Sequence, residues 1–295
     1  NTLHLVKGYD GVNFKQRSIV TDSPEFYKRL HEYGITQLSA RSAGIDTLNL
    51  DWAKQNKIRV SNVPSYSPRA VAELVLTQAM QLIRHIPAFK ERFRNNNYVI
   101  DGLRSRELSE LTIGIIGVGR IGSAVARIFS ALGATVLGND ITEPRPDMKG
   151  ILRYTTKDEI YKTSDIVTVH VYYSEDNYHL IKNDSFSKFK PDAFFINDSR
   201  GPVVDTVAFK DALESGLIAG GALDVVEGET KVFNQKFDTE SPLQIYNELR
   251  NISNLLLTPH IGFFTDHAVK NMVVESLNDT LAFLENRPTE HEIKL

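Results

Sequence analysis

The chain of 295 residues contains no cysteine. This absence excludes disulfides, thiolate nucleophiles, iron–sulfur clusters and zinc sites with cysteine ligands. A chain without disulfides fits a reducing compartment, and we expect a cytoplasmic protein. The His-Glu-x-x-His spacing of a common zinc site is also missing, so we expect no metal site.

Long hydrophobic runs and an excess of one charge are missing as well. No apolar run approaches the roughly 18 residues that a membrane helix needs, and the first residues, NTLHLVKGYD, have no signal-peptide core. Lys and Arg number 34 against 37 Asp and Glu, without a run of like charge. This balance argues against nucleic-acid and anionic-membrane binding, so we expect a small-molecule partner, no nucleic acid and no membrane.

What the chain does contain is two blocks of alternating strand and helix patterns. At about 150 residues per domain, its length predicts two domains. The first block has strand-like segments at 8–13, 36–41 and 58–62. The second has longer apolar strands, at 111–116, 134–139, 165–171, 193–197, 219–225 and 254–258. The alternation predicts α/β folds with parallel sheets, and the apolar strands of the second block indicate a doubly wound sheet buried on both faces.

Two helical patterns lie outside these blocks. From Arg69, apolar residues recur at helical spacing and predict one helix of about 25 residues, which could link two domains or serve a dimer interface. A last helix within 264–295 follows the sixth strand of the second block. This C-terminal segment is free to return to the first domain.

A glycine-rich turn stands between the strand LTIGII and the helical SAVARIFSALG. Its sequence GVGRIG places Gly117, Gly119 and Gly122 around Arg120 and Ile121. In a dinucleotide site, such glycines make a tight turn, let the backbone approach a pyrophosphate and let helix and strand pack closely. The helix N-terminus offers N–H groups to the phosphates. The turn therefore predicts a Rossmann-type cofactor site.

An acidic residue selects between the two nicotinamide cofactors. Asp140 ends the next strand, 18 residues beyond Gly122, where its carboxylate would bind the adenosine ribose and repel a 2′-phosphate. This arrangement favours NAD over NADP. Arg145 lies nearby and could instead hold a 2′-phosphate.

Three polar residues follow strands of the second block, where ligands bind in open α/β sheets. Arg200 stands in NDSRGPVVD, Glu229 in DVVEGET and His260 in TPHIG. An arginine fork can grip a carboxylate and polarise a carbonyl, while a histidine oriented by a carboxylate can exchange a proton near neutral pH. With a nicotinamide, this set predicts interconversion of 2-oxo and 2-hydroxy acids.

Each of these residues also has a purely structural interpretation. Arg200 could pair with Asp205, Glu229 could be a solvated loop carboxylate, and His260 could cap the last helix. Two further histidines, His170 and His179, are expected to make structural hydrogen bonds.

Six segments, in order, resemble the D-isomer-specific 2-hydroxy-acid dehydrogenases, and most of all their D-lactate dehydrogenase branch. They are SARSAGID, VSNVPSYSPRAVAE, IGIIGVGRIG, INDSRGPVVD, GGALDVVEGET and LLLTPHIGFFTDHAVKNMV. The resemblance implies an NAD-dependent enzyme that reduces a 2-oxo acid such as pyruvate to the D-2-hydroxy acid, and a homodimer. It also implies a Rossmann NAD-binding domain at 67–263. The smaller, flavodoxin-like substrate domain would comprise 1–66 and 264–295, without its first strand and helix.

The resemblance also assigns roles to single residues. It makes His260 the acid/base, Glu229 its partner and Arg200 the substrate anchor. The backbone of Ala43 and Gly44 would bind the substrate carboxylate, and Tyr66 and Phe263 would line the substrate pocket. Asp224 would lie near the nicotinamide carboxamide.

One departure from the family pattern and two alternatives complete the sequence analysis. Where the family has His-Val-Pro after the fourth strand, this chain has His170, Val171 and Tyr172. The first alternative is a dehydrogenase for a bulkier 2-oxo acid. The second is an NAD-sensing interaction protein of the same fold.

Overall fold

The computed structural model describes residues 3–15, 23–45 and 47–295. The chain divides into two compact units. The first unit comprises residues 1–67 and 264–295, and the second comprises residues 68–263. Each unit is built on its own parallel sheet.

Among its described residues, the first unit has a sheet of three strands in the order β1-β2-β3. Along the chain its elements are β1 (Val12–Lys15), α1 (Pro24–Glu32), β2 (Gln37–Arg41), α2 (Leu50–Gln55) and β3 (Arg59–Ser61). The hydroxyl of Ser23 caps α1 by accepting the Phe26 N–H. The strand predicted at 8–13 begins later, because Gly8 adopts a positive φ of 88° and the chain turns before Val12.

The long helix predicted from Arg69 is wrong: the second unit opens with two helices, α3 (Pro68–Ile83) and α4 (Ile86–Arg94). His85 separates them in the left-handed conformation, with a φ of 50°. Pro87 stands in the first turn of α4, where its missing N–H is tolerated, whereas inside one continuous helix it would break the hydrogen-bond ladder.

The second unit holds a parallel sheet of seven strands in the order β10-β9-β8-β7-β4-β5-β6. Its further elements are β4 (Thr112–Ile116), α5 (Arg120–Ala131), β5 (Thr135–Asn139), β6 (Arg153–Tyr154), α6 (Lys157–Thr163), β7 (Ile166–Val169), α7 (Asn183–Phe186), β8 (Phe194–Asn197), α8 (Thr206–Glu214), β9 (Gly220–Leu223), α9 (Gln244–Leu249) and β10 (Leu255–Leu257). The order reverses between β4 and β7. Ligands bind at the carboxyl ends of strands beside such a switch point.

Both faces of this sheet are buried, as predicted for a doubly wound fold. Ile113 and Ile115 of β4 pack in one core with Phe129 of α5, whereas Ile116 joins the opposite core. That second core also contains Phe195 and Phe209. The predicted fold class is thus confirmed, and the two-residue strand β6 is the one strand of this sheet that its apolar pattern did not reveal.

The C-terminal helix α10 (Asp266–Leu284) belongs to the first unit, where it packs on β2. The chain after it pairs with β3 through a bridge between Ser61 and Glu292. The Arg59 guanidinium lies 2.7 Å from the Glu292 carboxylate and 4.0 Å from the centre of the Phe283 ring. These contacts attach the last residues to the sheet of the first unit.

Candidate active site

The glycine-rich turn joins β4 to α5 in a conformation that requires glycine. Gly117 has a φ of 92°, and a Cβ at Gly122 would clash with the Gly117 carbonyl oxygen. Gly119 is the N-cap of α5, and a Cβ there would meet no described atom within 4 Å. Open space therefore lies before backbone N–H groups at a helix N-terminus. The residues present fit a dinucleotide pyrophosphate.

Asp140 holds the end of β5 against this turn. One carboxylate oxygen accepts the Val118 N–H at 2.6 Å, and the other accepts the Thr142 N–H and hydroxyl at 2.9 Å. Burial raises the pKa of Asp140, but the hydrogen bonds from Thr142 and Val118 outweigh it and lower the pKa overall. Asp140 is therefore an anion. Arg145, the alternative 2′-phosphate ligand, is 3.1 Å from Asp147.

His260 and Glu229 form a buried pair. The Nδ1 atom of His260 lies 2.9 Å from a carboxylate oxygen of Glu229, whose other oxygen accepts the Val226 N–H at 3.1 Å. Only 14% of the His260 side chain and 10% of the Glu229 side chain are exposed. The interpretation of Glu229 as a solvated carboxylate is therefore wrong, and the last helix is capped by Thr265 instead of His260.

Asp224 holds the loop that carries His260. Its carboxylate accepts the Thr258 hydroxyl at 2.5 Å and the N–H groups of Ile261 and Gly262, both at 2.8 Å. Its carbonyl accepts the His260 N–H at 2.8 Å. His260 itself has a φ of 55°, in the left-handed region. Four hydrogen bonds to one aspartate thus keep a strained backbone in place.

Arg200 follows β8 and leads into a short helical turn, Gly201–Val203. Its Nη1 donates to the Ser199 carbonyl at 2.8 Å. Because β8, β9 and β10 are parallel neighbours, Arg200, Asp224 and His260 follow strands that end at the same edge of the sheet. The predicted alternative partner of Arg200, Asp205, accepts the Ala208 N–H and caps α8.

A family model for the NAD-binding domain of D-isomer-specific 2-hydroxyacid dehydrogenases matches residues 76–262. The chain belongs to this family. The dehydrogenase is similar to the solved structure of a D-lactate dehydrogenase from a Sporolactobacillus species, with 47% identity, a TM-score of 0.86, and coverage of 99% of this chain and 88% of the other. A D-lactate dehydrogenase from Lactobacillus jensenii, solved with NAD+, has 38% identity and a TM-score of 0.88 over 99% and 88% of the two chains.

The dehydrogenase also resembles an aromatic 2-oxoacid reductase from Clostridium sporogenes, with 40% identity over 96% of this chain and 85% of the relative. Membership confirms the prediction of an NAD-dependent oxidoreductase that acts on the CH–OH group of 2-hydroxy acids. Its cofactor is NAD, and the substrates of the family are small 2-hydroxy and 2-oxo acids. No helix in the described part of the chain is long and apolar enough to cross a membrane.

The aromatic surroundings of His260 in the dehydrogenase were only partly found from the sequence. The Phe263 ring, a predicted pocket residue, has its centroid 6.3 Å from that of the imidazole. The Phe233 ring is closer, at 5.2 Å and edge-on. Nothing in the sequence spacing of Phe233 predicts its contact with His260.

The predicted substrate residues of the first unit lie in two loops. Ala43 and Gly44 follow β2, where the Asn62 side chain donates to the Ala43 carbonyl and the Ser42 hydroxyl to the Gly44 carbonyl, both at 2.6 Å. The Tyr66 carbonyl accepts a hydrogen bond from Asn271 of α10 at 2.8 Å. These bonds hold both loops against the rest of their unit.

The two histidines predicted to make structural hydrogen bonds have polar partners. His170 is buried with its Nε2 2.9 Å from the Thr168 hydroxyl, and burial lowers the pKa of His170 to about 3, which keeps the ring neutral. His179 lies 2.9 Å from the Glu227 carboxylate. Across residues 3–15, 23–45 and 47–295, no cluster of three potential ligands could hold a metal ion.

Proposed function

We propose that the chain is a D-lactate dehydrogenase that reduces pyruvate to D-lactate with NADH. The proposal rests chiefly on the buried His260–Glu229 pair, at the sheet edge where Arg200 also emerges. The similarity to D-lactate dehydrogenases supports pyruvate as the substrate. The D configuration of the product comes from the same family resemblance.

His260 is the proposed acid. When bound, NADH would supply the hydride that the carbonyl carbon of pyruvate receives. Because Nδ1 of His260 is engaged by Glu229, Nε2 is the atom that passes a proton to the carbonyl oxygen. The Glu229 carboxylate fixes the orientation of the ring and its tautomer. In the reverse reaction, neutral His260 accepts the proton of the lactate hydroxyl.

Substrate binding in the second unit falls to Arg200, whose planar fork binds the pyruvate carboxylate and polarises the carbonyl. Asp224 lies beside the nicotinamide carboxamide in this proposal and keeps the His260 loop in place. The pyrophosphate and the adenosine ribose of the cofactor are held by Gly117, Gly119, Arg120, Ile121, Gly122 and Asp140.

We carry over three further roles from the family resemblance, two in the first unit and one in the second. The backbone N–H groups of Ala43 and Gly44 receive the substrate carboxylate, and Tyr66 contributes to substrate binding. Phe263 of the second unit lines the substrate pocket. The bonds from Asn62 and Asn271 to these loops support the proposal, because preorganised loops bind with a smaller loss of entropy.

The experiment that tests this function is replacement of His260 by Asn, measured as NADH loss with pyruvate. Loss of a general acid lowers turnover roughly 100- to 10,000-fold, while NADH binding, followed by its fluorescence, is retained. The exposed His31→Asn variant is the control and keeps the wild-type rate. Near-normal turnover of His260→Asn would remove His260 from the acid role.

A second candidate substrate is an aromatic 2-oxo acid. The similarity to the Clostridium reductase and the ring of Phe233 beside His260 favour it. Comparing kcat/KM for pyruvate and phenylpyruvate, with chiral analysis of the products, separates the two. A higher value for phenylpyruvate would keep the mechanism and replace the substrate.

The proposed assembly is a homodimer formed through α4 and the loop after it. Phe93, Tyr98 and Ile100 are more than 60% exposed there, and the rings of Phe93 and Tyr98 pack edge to face. A group of exposed apolar side chains of this kind is typical of protein–protein interfaces. Light scattering should give twice the chain mass, and Ile100→Glu should shift the protein to monomer. The cytoplasmic location stays a prediction of the sequence.

A further inference from the structure

A buried carboxyl group near the site has no role in the proposed reaction. Asp198 directly follows β8, two residues before Arg200, and is 7% exposed. Neither of its carboxyl oxygens makes a hydrogen bond of ordinary geometry with any described residue. Gln78 of α3, which is 2% exposed, likewise has both amide atoms buried without such a bond. Buried polar groups without partners are rare and costly.

These two orphaned groups are neighbours. The Gln78 side chain lies beside the Asp198 carboxyl, and α3 packs on β8. The charged group beside Asp198 is the Asp224 carboxylate, which lies after the adjacent strand β9. Asp224 already accepts three hydrogen bonds, so the negative charge is stabilised there and not on Asp198.

Charge and burial together decide the protonation state of Asp198. Burial raises the pKa of Asp198 well above its usual value, and repulsion by Asp224 raises it further. The contacts with Gln78 and with the Asp224 backbone act in the opposite direction without offsetting these effects. A carboxylate here would be an unpaired buried charge next to a second one.

The neutral form also solves the hydrogen-bonding problem of Gln78. A carboxylic acid offers one O–H donor and one carbonyl acceptor, and a primary amide offers the matching acceptor and donor. A carboxylate has no donor, so the Gln78 carbonyl oxygen would stay unsatisfied beside it. One proton on Asp198 therefore lets each side chain offer the other both a donor and an acceptor.

We propose that Asp198 is a positioning residue that works as a neutral carboxylic acid: paired with Gln78, it joins the end of β8 to α3 and leaves the negative charge to Asp224. Its effect on catalysis rests on the proposed function. Loss of the proton at alkaline pH places two carboxylates side by side and separates the pair. The Asp224 loop that carries His260 and the strand end that carries Arg200 are then both disturbed.

Thermal stability tests the protonation state directly. Since the pKa of Asp198 is raised in the folded protein, its stabilisation is complete below the pKa of an unfolded aspartate and is lost as pH rises towards the folded pKa. Asp198→Asn is neutral at every pH and can form the same pair. We expect the Tm difference, variant minus wild type, to grow steadily from about pH 5 to about pH 9.

The exposed Asp238→Asn variant is the matched control, and its Tm difference should stay flat over this range. A constant difference for Asp198→Asn, or one that changes only in acid, would show that Asp198 is ionised and overturn the proposal. The infrared spectrum of the wild type at pH 7 gives a readout that needs no variant. It should contain the C=O stretch of a protonated carboxylic acid, and its absence would also overturn the proposal.

The catalytic consequence appears in the oxidation of D-lactate by NAD+. Ionisation of Asp198 predicts a fall in this rate at the alkaline end. Asp198→Asn should lack this fall, and an identical fall in both proteins would remove Asp198 from the positioning role. If no 2-hydroxy acid is oxidised while the Tm and infrared results hold, the proposed function fails and the neutral acid stands.

Discussion

The substitution Glu229→Gln removes the negative charge of Glu229 and keeps the size and shape of its side chain. The amide oxygen of glutamine can still accept the Val226 N–H, so the turn that carries residue 229 keeps its hydrogen bond. The side chain loses the negative charge opposite Nδ1 of His260, at a distance of 2.9 Å. We therefore expect a folded protein in which the imidazole has lost its charged hydrogen-bond partner and is less firmly oriented.

The magnitude follows from the burial of the pair. Both side chains are at most 14% exposed, so solvent screens their interaction little. A hydrogen bond to a charged group contributes roughly 1.5–3 kcal/mol, and about 1.4 kcal/mol corresponds to a tenfold change in rate. Pyruvate reduction by Glu229→Gln should thus be roughly 10- to 100-fold slower in kcat, with a smaller change in KM.

The assay is steady-state NADH oxidation with pyruvate, with chemistry shown to limit the rate by a primary isotope effect from deuterated NADH. Glu227→Gln is the matched control, since Glu227 contacts His179 and lies two residues away. It should stay within about twofold of the wild type, as expected for a side chain outside the reaction. A Glu229→Gln enzyme as fast as this control would refute the pairing argument.

Two further predictions concern the site. Arg200→Lys should raise KM and lower kcat, since a point charge does not reproduce the planar fork; unchanged kinetics would exclude Arg200 as the anchor. Asp140→Ala should lose the preference for NAD over NADP, because the carboxylate, kept charged by its lowered pKa, no longer repels a 2′-phosphate; an unchanged ratio of kcat/KM values would place the discrimination elsewhere.

The elements that follow from local patterns could be predicted from the sequence. The apolar strands of the second block, the glycine turn and the polar residues after the strands all carry their signal within a few neighbouring residues. From the positions of the apolar strands, we expected Arg200 and His260 to follow strands of one sheet. Because β8, β9 and β10 are parallel neighbours, the residues that follow these strands lie at the same edge of the sheet.

Features that depend on distant residues or on a single torsion angle could not be predicted. The left-handed backbone of His85 is one such torsion angle: Pro87 signals a break in the helix, but the helical spacing of its neighbours conceals where α3 ends. Contact of Phe233 with His260 depends on the path of a loop. The neutral state inferred for Asp198 depends on Gln78, 120 positions earlier in the chain, and on Asp224 from another strand.

The left-handed backbone of His260 also limits which replacements can occur at that position. With a φ of 55°, the site tolerates glycine and asparagine, whereas a β-branched residue such as valine would be destabilised by about 1–3 kcal/mol before any chemistry is considered. A library of substitutions at position 260 would therefore report folding and catalysis together. The backbone conformation at position 260 limits the possible substitutions first, and the need for a proton donor limits them further.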